Sequence, residues 1–364
     1  MRVARRSERG TEENGVPSRA ATIRDVATRA GVSVATVSRV LTGNYPVAAA
    51  TRTKVLRAVR DLDYVVNAHA RALAGNRSKT IAVLLSNFTS PFYNRVASGV
   101  EQQATAEDRL CMVSTTGGDP EREVKLVETL REQNVDAVVL VGGVVDTLEY
   151  REHMARLARL LDSAGSRLVL CGRPSPGENL PVTVVQYDNA GGAFAATSHL
   201  LSQGHRRILF IGGDPANTTT RDRLDGYRRA TAAYGVEDDP GLVIVGTQLP
   251  QFAYTQLKKR LAAGPPDFTA IFAWDDHIAA RSLVALRESG VAVPDDVSVI
   301  GYNDEQEAQN LFPALTTVSI PHMELGREAV RAALHRDGAA AANQHVMLGT
   351  HIVLRDSVRP RINV

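Results

Sequence analysis

The sequence predicts an α/β protein in two parts: an N-terminal all-α module, then a larger two-lobed body of doubly wound parallel sheets. Three observations carry this. Residues Thr22 to Leu41 read as two short helices about a glycine turn. From Thr80 onward, nearly continuous apolar runs alternate with helix-period segments. The charge balance changes sign where the pattern changes. With 364 residues the chain is long enough for two or three domains and a sizeable core.

In the first part, TIRDVATRAGVSVATVSRVL, Thr22 can cap a helix and Asp25, three residues on, can close a capping box. Ile23, Val26, Ala27 and Ala30 then fall at helical spacing. Gly31 supplies the left-handed residue that ends this helix. Ser33 can cap a second helix with Val34, Val37, Val40 and Leu41 on its apolar face. This is a helix-turn-helix, in which the start of the second helix enters the DNA major groove. Its remaining positions, Ala35, Thr36, Ser38 and Arg39, are small residues plus one arginine. Such a face can lie close to base edges while Arg39 reaches guanine bidentately. A third helix, Ala50 to Leu62, turns Val55, Leu56, Val59 and Leu62 inward. Asn67 can cap a very short helix, Ala68 to Ala74, ended by Gly75. That helix has too little apolar surface to stand alone and needs a partner to order.

In the second part the apolar runs are IAVLLSN, LCMVSTT, AVVLVGG and RLVLCG. The helices between and before them run from about Pro91 to Glu107, Pro120 to Gln133 and Leu148 to Ala164. A second set starts near Asp188 with a helix to Gln203 and the strand RRILFIGG. It continues with Arg221 to Tyr234, VIVGT, Ala253 to Leu261, AIFAW, Asp276 to Ser289 and VSVIGYND. Such alternation indicates parallel sheets covered on both faces, and two sets indicate two similar lobes. Ligands of that architecture bind beyond the carboxyl ends of the strands.

The whole chain carries a formal net charge of +2. Residues 22–79 hold ten Lys and Arg against three Asp, residues 80–364 hold 27 basic against 34 acidic, and the first 21 residues add +2. A basic module on an acidic body suits phosphate contact at one end only. The polar stretch MRVARRSERGTEENGVPSRAA lacks the apolar centre of a secretory signal and reads as a disordered arm. No apolar run reaches membrane-spanning length, so no membrane partner is expected. Cys111 and Cys171 lie singly in apolar runs, as buried thiols of a reducing cytoplasm with no metal-site spacing. No P-loop, GxSxG, HExxH or paired-Cys motif supports an enzyme or a cofactor, and His199 and His205 read as structural.

The ordered motifs resemble transcriptional regulators of the lactose-repressor/galactose-repressor family from Thr22 to about Pro360. They are TIRDVATRAGVS-ATVSRVL, TR-KV at Thr51 to Val55, N-A-ARALA at Asn67 to Ala74 and SPFY at Ser90 to Tyr93. GHRRI follows at Gly204 to Ile208, R-DG at Arg223 to Gly226, VSVIGYND at Val297 to Asp304, LTTV at Leu315 to Val318 and LRDS at Leu354 to Ser357. The resemblance implies a helix-turn-helix domain over 22–66, a hinge helix and linker over 67–79, and an effector-binding and dimerisation body over 80–364. The body resembles periplasmic sugar-binding proteins, with an N-lobe at about 80–185 and 316–324 and a C-lobe at about 186–315 and 325–364.

On this resemblance Arg39 reads a base, with Val34 and Ala35 setting preference at neighbouring pairs. Thr22, Ser33, Thr36, Ser38 and Thr51 contact the DNA backbone or position helices. Asn67, Ala70 and Leu73 belong to the hinge helix, which pairs with its dimer mate in the minor groove, Leu73 being the wedge that kinks the duplex. The DNA partner is a pseudo-palindromic operator bound by a homodimer. Candidate effector contacts are Phe92, Tyr93, Arg223, Trp274, Asp275 and Asn303, with a sugar as the family's default effector. Structural roles compete: Arg223 and Asp275 can form an interlobe salt bridge, and Phe92 can be core.

The sequence departs from the family pattern at four places. Trp274 stands where many members have Asn, and Asn303 where many have Asp, which enlarges a flat wall and removes a charge. Val66 replaces a frequent Pro and Ala48 a common capping Ser. The C-terminus, RDSVRPRINV, has no leucine heptad, which favours a dimer over a tetramer. Two alternatives stand beside an effector-controlled repressor. One is a DNA-binding regulator with a ligandless body. The other, a transport-associated solute-binding protein, requires a signal peptide and no DNA-reading module.

Overall fold

A computed structural model describes residues 21–42, 45–64, 78–335 and 344–361. The arm and the hinge candidates Asn67, Ala70 and Leu73 lie outside the described residues. The chain divides into two compact units, Met1–Ser78 and Lys79–Val364.

The first unit holds helices α1 (Ile23–Ala30), α2 (Val34–Thr42) and α3 (Ala49–Asp61). Both sides of the capping box are present: Asp25 N donates to Thr22 Oγ1, and Asp25 Oδ2 accepts from Thr22 N at 2.7 Å. Gly31 ends α1 with a φ of 67°. Ser33 Oγ then accepts from Thr36 N at 3.1 Å, capping α2. Val26, Ala27, Val37, Val40, Val55 and Ala58 form the small core. Two residues expected on the apolar faces differ. Val34 and Leu56 are exposed, because three short helices bury only a narrow seam and these positions fall beside it.

The second unit continues as β1 (Thr80–Leu85), α4 (Pro91–Ala106), β2 (Leu110–Thr115), α5 (Pro120–Glu132), β3 (Ala137–Val141), α6 (Leu148–Ser163), β4 (Arg167–Cys171) and β5 (Val182–Tyr187). Next come α7 (Asn189–Ser202), β6 (Ile208–Ile211), α8 (Thr218–Ala233), β7 (Val243–Ile244), α9 (Pro250–Ala262), β8 (Ala270–Ala273), α10 (Asp276–Glu288) and β9 (Ser298–Asn303). The last elements are β10 (Thr316–Ser319), α11 (His322–Leu334), β11 (Gln344–Leu348) and β12 (His351–Val353).

One sheet runs β11-β5-β4-β3-β1-β2 and the other β12-β10-β9-β8-β6-β7, parallel except for the β10–β12 pair. In β1, Ile81, Val83 and Leu85 belong to the core shared with Val96 and Val100 of α4. Ala82 and Leu84 join a second core with Val127 of α5 and Leu157 and Leu161 of α6. A strand buried on both faces gives an unbroken apolar run, and each fully buried Val or Leu side chain contributes roughly 1.5–3 kcal/mol.

The lobe boundaries need correction. Strand β10 pairs β9 in the second sheet, so residues 316–319 belong to the C-lobe. Helix α11 packs on α4, β4 and β5, and β11 pairs β5, so these late segments return to the N-lobe before β12 joins the C-lobe. The order of strands in a sheet, not order along the chain, decides membership. A strand that the sequence reading lacks, β5, is a Val/Thr run that feeds the first crossing between lobes. The expectation that every strand is covered on both faces fails at β2. It is an edge strand, with Leu110, Met112 and Val113 exposed and Cys111 only half-buried. Among the described residues no helix is long and apolar enough to cross a membrane.

Candidate nucleic-acid interface and ligand cleft

On α2 the start of the helix and Arg39 face outward. Ser33, Val34, Ala35 and Arg39 are exposed, while Thr36 and Ser38 are half-buried beside the core position Val37. The Arg39 guanidinium lies 5.3 Å from the ring centroid of the exposed Tyr45. Thr22 serves the α1 cap and Ser33 the α2 cap, so these hydroxyls hold the helix ends in place whatever else they touch. Thr51, in the first turn of α3, is half-buried. Arg29 of α1 pairs with Asp61 of α3 at 3.3 Å, an exposed pair worth little in stability.

In the body, segments that follow the carboxyl ends of strands in both sheets meet, Val144 against Thr218 and Arg95 against Asp304. In the C-lobe Arg223, from α8, is 1% exposed. Its Nε donates to Asn189 Oδ1 at 3.0 Å, Nη2 to Asn303 Oδ1 at 2.9 Å, and Nη1 to the Trp274 carbonyl. The Tyr302 ring centroid lies 3.7 Å from the guanidinium carbon and that of Trp274 5.0 Å. Cation–π contact and neutral hydrogen bonds thus solvate the charge in place of water.

Asn303 and Asp304 close β9 with φ values of 102° and 54°. Two successive non-glycine residues at positive φ are a local strain of the kind found where side chains must be aimed. Asp304 pairs with Arg355 at 2.7 Å. Asp275 does not pair with Arg223; both belong to the C-lobe, and Asp275 Oδ1 instead caps α10 by accepting from Ile278 N at 2.8 Å. Burial pushes the Asp275 carboxyl up from its ordinary value.

The N-lobe side is aromatic. Phe92 is half-buried and meets Tyr93, Tyr187 and His322 edge-on or tilted, at centroid distances of 5.2, 6.2 and 5.7 Å. Tyr93 donates to Ser86 Oγ at 3.1 Å and presses on Gly142, where a Cβ would collide with its ring. Sequence reasoning missed Asn189, Tyr187, Arg95, Glu305 and His322. Each follows or precedes a crossing or a strand end, but only the sheet order shows that these ends meet.

Two sets of contacts join the lobes. On one side Thr218 N donates to the Val144 carbonyl at 2.9 Å, Val144 N to Thr218 Oγ1 at 3.1 Å, and Arg221 reaches Asp146 at 3.5 Å. On the other, Arg95 donates to the Asp304 carbonyl at 3.1 Å and lies 3.9 Å from Glu305. Beneath this side, Asp276 accepts from Glu305 N and from the Thr317 hydroxyl, and burial pushes its carboxyl up to about 8. Burial pushes the His322 imidazole down to about 4, which leaves it neutral beside Phe92. Among the described residues no cluster of three His, Cys, Asp or Glu side chains is placed to hold a metal.

Comparison with known proteins agrees with both units. Residues 22–67 match the family described as bacterial regulatory proteins, lacI family, and residues 197–358 match the periplasmic binding protein-like domain. The transcriptional regulator DegA of Bacillus subtilis (strain 168) is 33% identical over 340 residues, covering 93% of this chain and 98% of that one. CelR of Thermobifida fusca is 36% identical over 345 residues, covering 92% and 98%. Among solved structures, a CelR–cellobiose complex superposes with a TM-score of 0.67 at 34% identity, covering 93% of this chain and 99% of that one. The lac repressor dimer bound to operator and the anti-inducer ONPF gives 0.76 at 25% identity over the same shares. An outward-facing second helix in the first unit, a two-sheet cleft in the second and full-length likeness to such regulators have one meaning: the chain belongs to the lactose-repressor/galactose-repressor (LacI/GalR) family of DNA-binding transcriptional regulators.

Proposed function

We propose that this regulator is a cytoplasmic homodimeric repressor whose hold on a pseudo-palindromic operator is switched by a small molecule, a sugar or sugar derivative, bound between the lobes. The observation that carries the reading is the position of Arg223. A buried guanidinium held by Asn189 and Asn303 and flanked by the Trp274 and Tyr302 rings, with Phe92 and Tyr93 as candidate contacts from the N-lobe, suits a polyhydroxylated ring: donors for its oxygens, aromatic faces for its carbons. Asp275 acts behind this wall by fixing the start of α10. Arg39 is the base reader, with Val34 and Ala35 beside it and the caps at Thr22 and Ser33 as positioning groups. The exposed apolar side chains of the edge strand β2, Leu110, Met112 and Val113, support burial against a second copy.

The mechanism is a two-state equilibrium of the lobes. Contacts such as Thr218–Val144 and Arg95–Asp304 exist only while the lobes are together, so a ligand that favours their pairing biases the equilibrium by its differential affinity. A coupling of about 1–3 kcal/mol changes operator affinity 5- to 150-fold. The single tryptophan, Trp274, reports on the cleft. Fluorescence titration of the purified chain with mono- and disaccharides, polyols and nucleosides, repeated with operator DNA, tests the reading. A saturable change that also shifts operator affinity identifies the effector and its sign. Operator binding that no metabolite alters would favour the ligandless body.

A further inference from the structure

Every group that touches the Arg223 guanidinium is neutral. The amide oxygens of Asn189 and Asn303, the Trp274 carbonyl and the Tyr302 and Trp274 rings surround it. Among the described residues no carboxylate pairs with it. No acid nearby contacts it, although the buried Asp275 carboxylate attracts it without touching. Asp275 caps α10, Asp188 caps α7 by accepting from Gly191 N at 2.7 Å, Asp304 pairs with Arg355, and Asp276 is bonded to Thr317. Glu305, buried behind Arg95 and His322, faces Arg95 at 3.9 Å, and its Oε2 accepts no hydrogen bond. A fully buried positive charge without a contacting counter-charge is expensive, and a ligand that brings one recovers that cost.

A second observation points the same way. Trp274 Nε1 and Thr220 Oγ1 are buried and have no hydrogen-bond partner. Both side chains converge on Gly213, where an added Cβ would meet Trp274 Cδ1 and Thr220 Oγ1. The indole N–H can only donate, and a hydroxyl can donate. Donors without acceptors beside an arginine without a carboxylate describe a site short of negative oxygen.

We propose that the effector is an anion, carrying a carboxylate or phosphate group whose oxygens fork onto Arg223 and accept from Trp274 and Thr220. The inference rests on the reading of the cleft as the effector site and narrows its ligand to acidic sugars or sugar phosphates, against neutral sugars. The shared chemistry is a planar or tetrahedral set of anionic oxygens that a guanidinium binds bidentately.

The test uses the full chain in two arms. In the first, Trp274 fluorescence is titrated with matched probes: glucose, gluconate, glucuronate, glucose 6-phosphate, cellobiose and cellobionate. An acid or phosphate binding at least tenfold more tightly than its neutral parent supports the proposal, and the better of the two anions names the source. A neutral parent that binds as tightly overturns it. If that neutral sugar also shifts operator affinity, the effector-site reading stands while the anion inference falls. The second arm needs no ligand. Asn303→Asp places a carboxylate on Arg223 at a backbone position that Asp tolerates as Asn does, and should raise Tm while abolishing anion binding. A Tm that is unchanged or lower shows that Arg223 already has its counter-charge and overturns the proposal, including where no probe in the first arm binds.

Discussion

Arg223 Nη2 and Asn303 Oδ1 are 2.9 Å apart, and Asn303 makes that bond from a backbone φ of 102°. The side chain is therefore aimed by a conformation that most residues resist. Asn303→Gly removes the acceptor and relieves the backbone, whereas Asn303→Ala removes the acceptor and keeps the strain. Chemical denaturation should place Ala below Gly by about 1 kcal/mol or more. Equal stabilities would mean that the backbone there relaxes freely and the strain has no role.

Arg39→Ala should weaken operator binding by about 1–3 kcal/mol and relax specificity at one base pair. The exposed position of Arg39 on α2, over Tyr45, leaves the helix core intact, so circular dichroism should not change. Competition binding on single-base operator variants separates the roles. An equal loss on random DNA would make Arg39 a phosphate contact.

Leu73→Ala tests the hinge wedge implied by the family resemblance. Reduced bending with weaker operator binding is expected, because unstacking of the central step costs a few kcal/mol that only a wedge offsets. Gel mobility on circularly permuted operator fragments measures the bend, and an unchanged angle would remove Leu73 from that role.

Gly99 of α4 lies against α11, where a methyl would overlap the Met323 carbonyl; Gly326 of α11 makes the reciprocal contact with the Val96 carbonyl. The obstacles are backbone, so they cannot swing aside. Gly99→Ala should destabilise the body by roughly 1–3 kcal/mol through overpacking, despite its gain in helix propensity. A gain in Tm would show that the two helices part easily.

Stability should fall with rising pH near neutrality. Folded Asp276 titrates at about 8, against about 4 in the unfolded chain, so the folded state holds an extra proton between these values. Its contribution is complete below the unfolded value and lost as pH rises through about 8. His322 acts oppositely, since its folded value of about 4 lies below the unfolded one of about 6.5, and its contribution is complete above that. From pH 6.5 to 8.5 the Asp276 slope of the two remains, and burial raises Asp275 and Glu305 in the same sense. Thermal melts should therefore show Tm decreasing over this range, and less steeply in Asp276→Asn. An equal slope in that variant would assign the dependence to other groups.

What the sequence by itself determined was local. The Thr22–Asp25 box, the left-handed Gly31 and the Ser33 cap each close within four residues, so their hydrogen bonds leave a readable spacing. The strand and helix alternation is legible for a similar reason, because a strand buried on both faces, such as β1 or β3, must be apolar throughout. The lobe to which β10, α11, β11 and β12 belong was not legible: all four follow the second sheet along the chain, yet α11 and β11 return to the first, and only packing and strand pairing assign them. The exposure of β2 has the same cause: LCMVST reads as core until the sheet places it at an edge. Arg223 was visible as a residue, but its neutral shell was not. That shell is built from Asn189, Trp274 and Asn303, which are 34, 51 and 80 residues away in the chain. Tertiary structure decided it, because the electrostatics of a buried charge depend on what long-range packing sets within a few ångströms, and separation along the chain does not encode that distance.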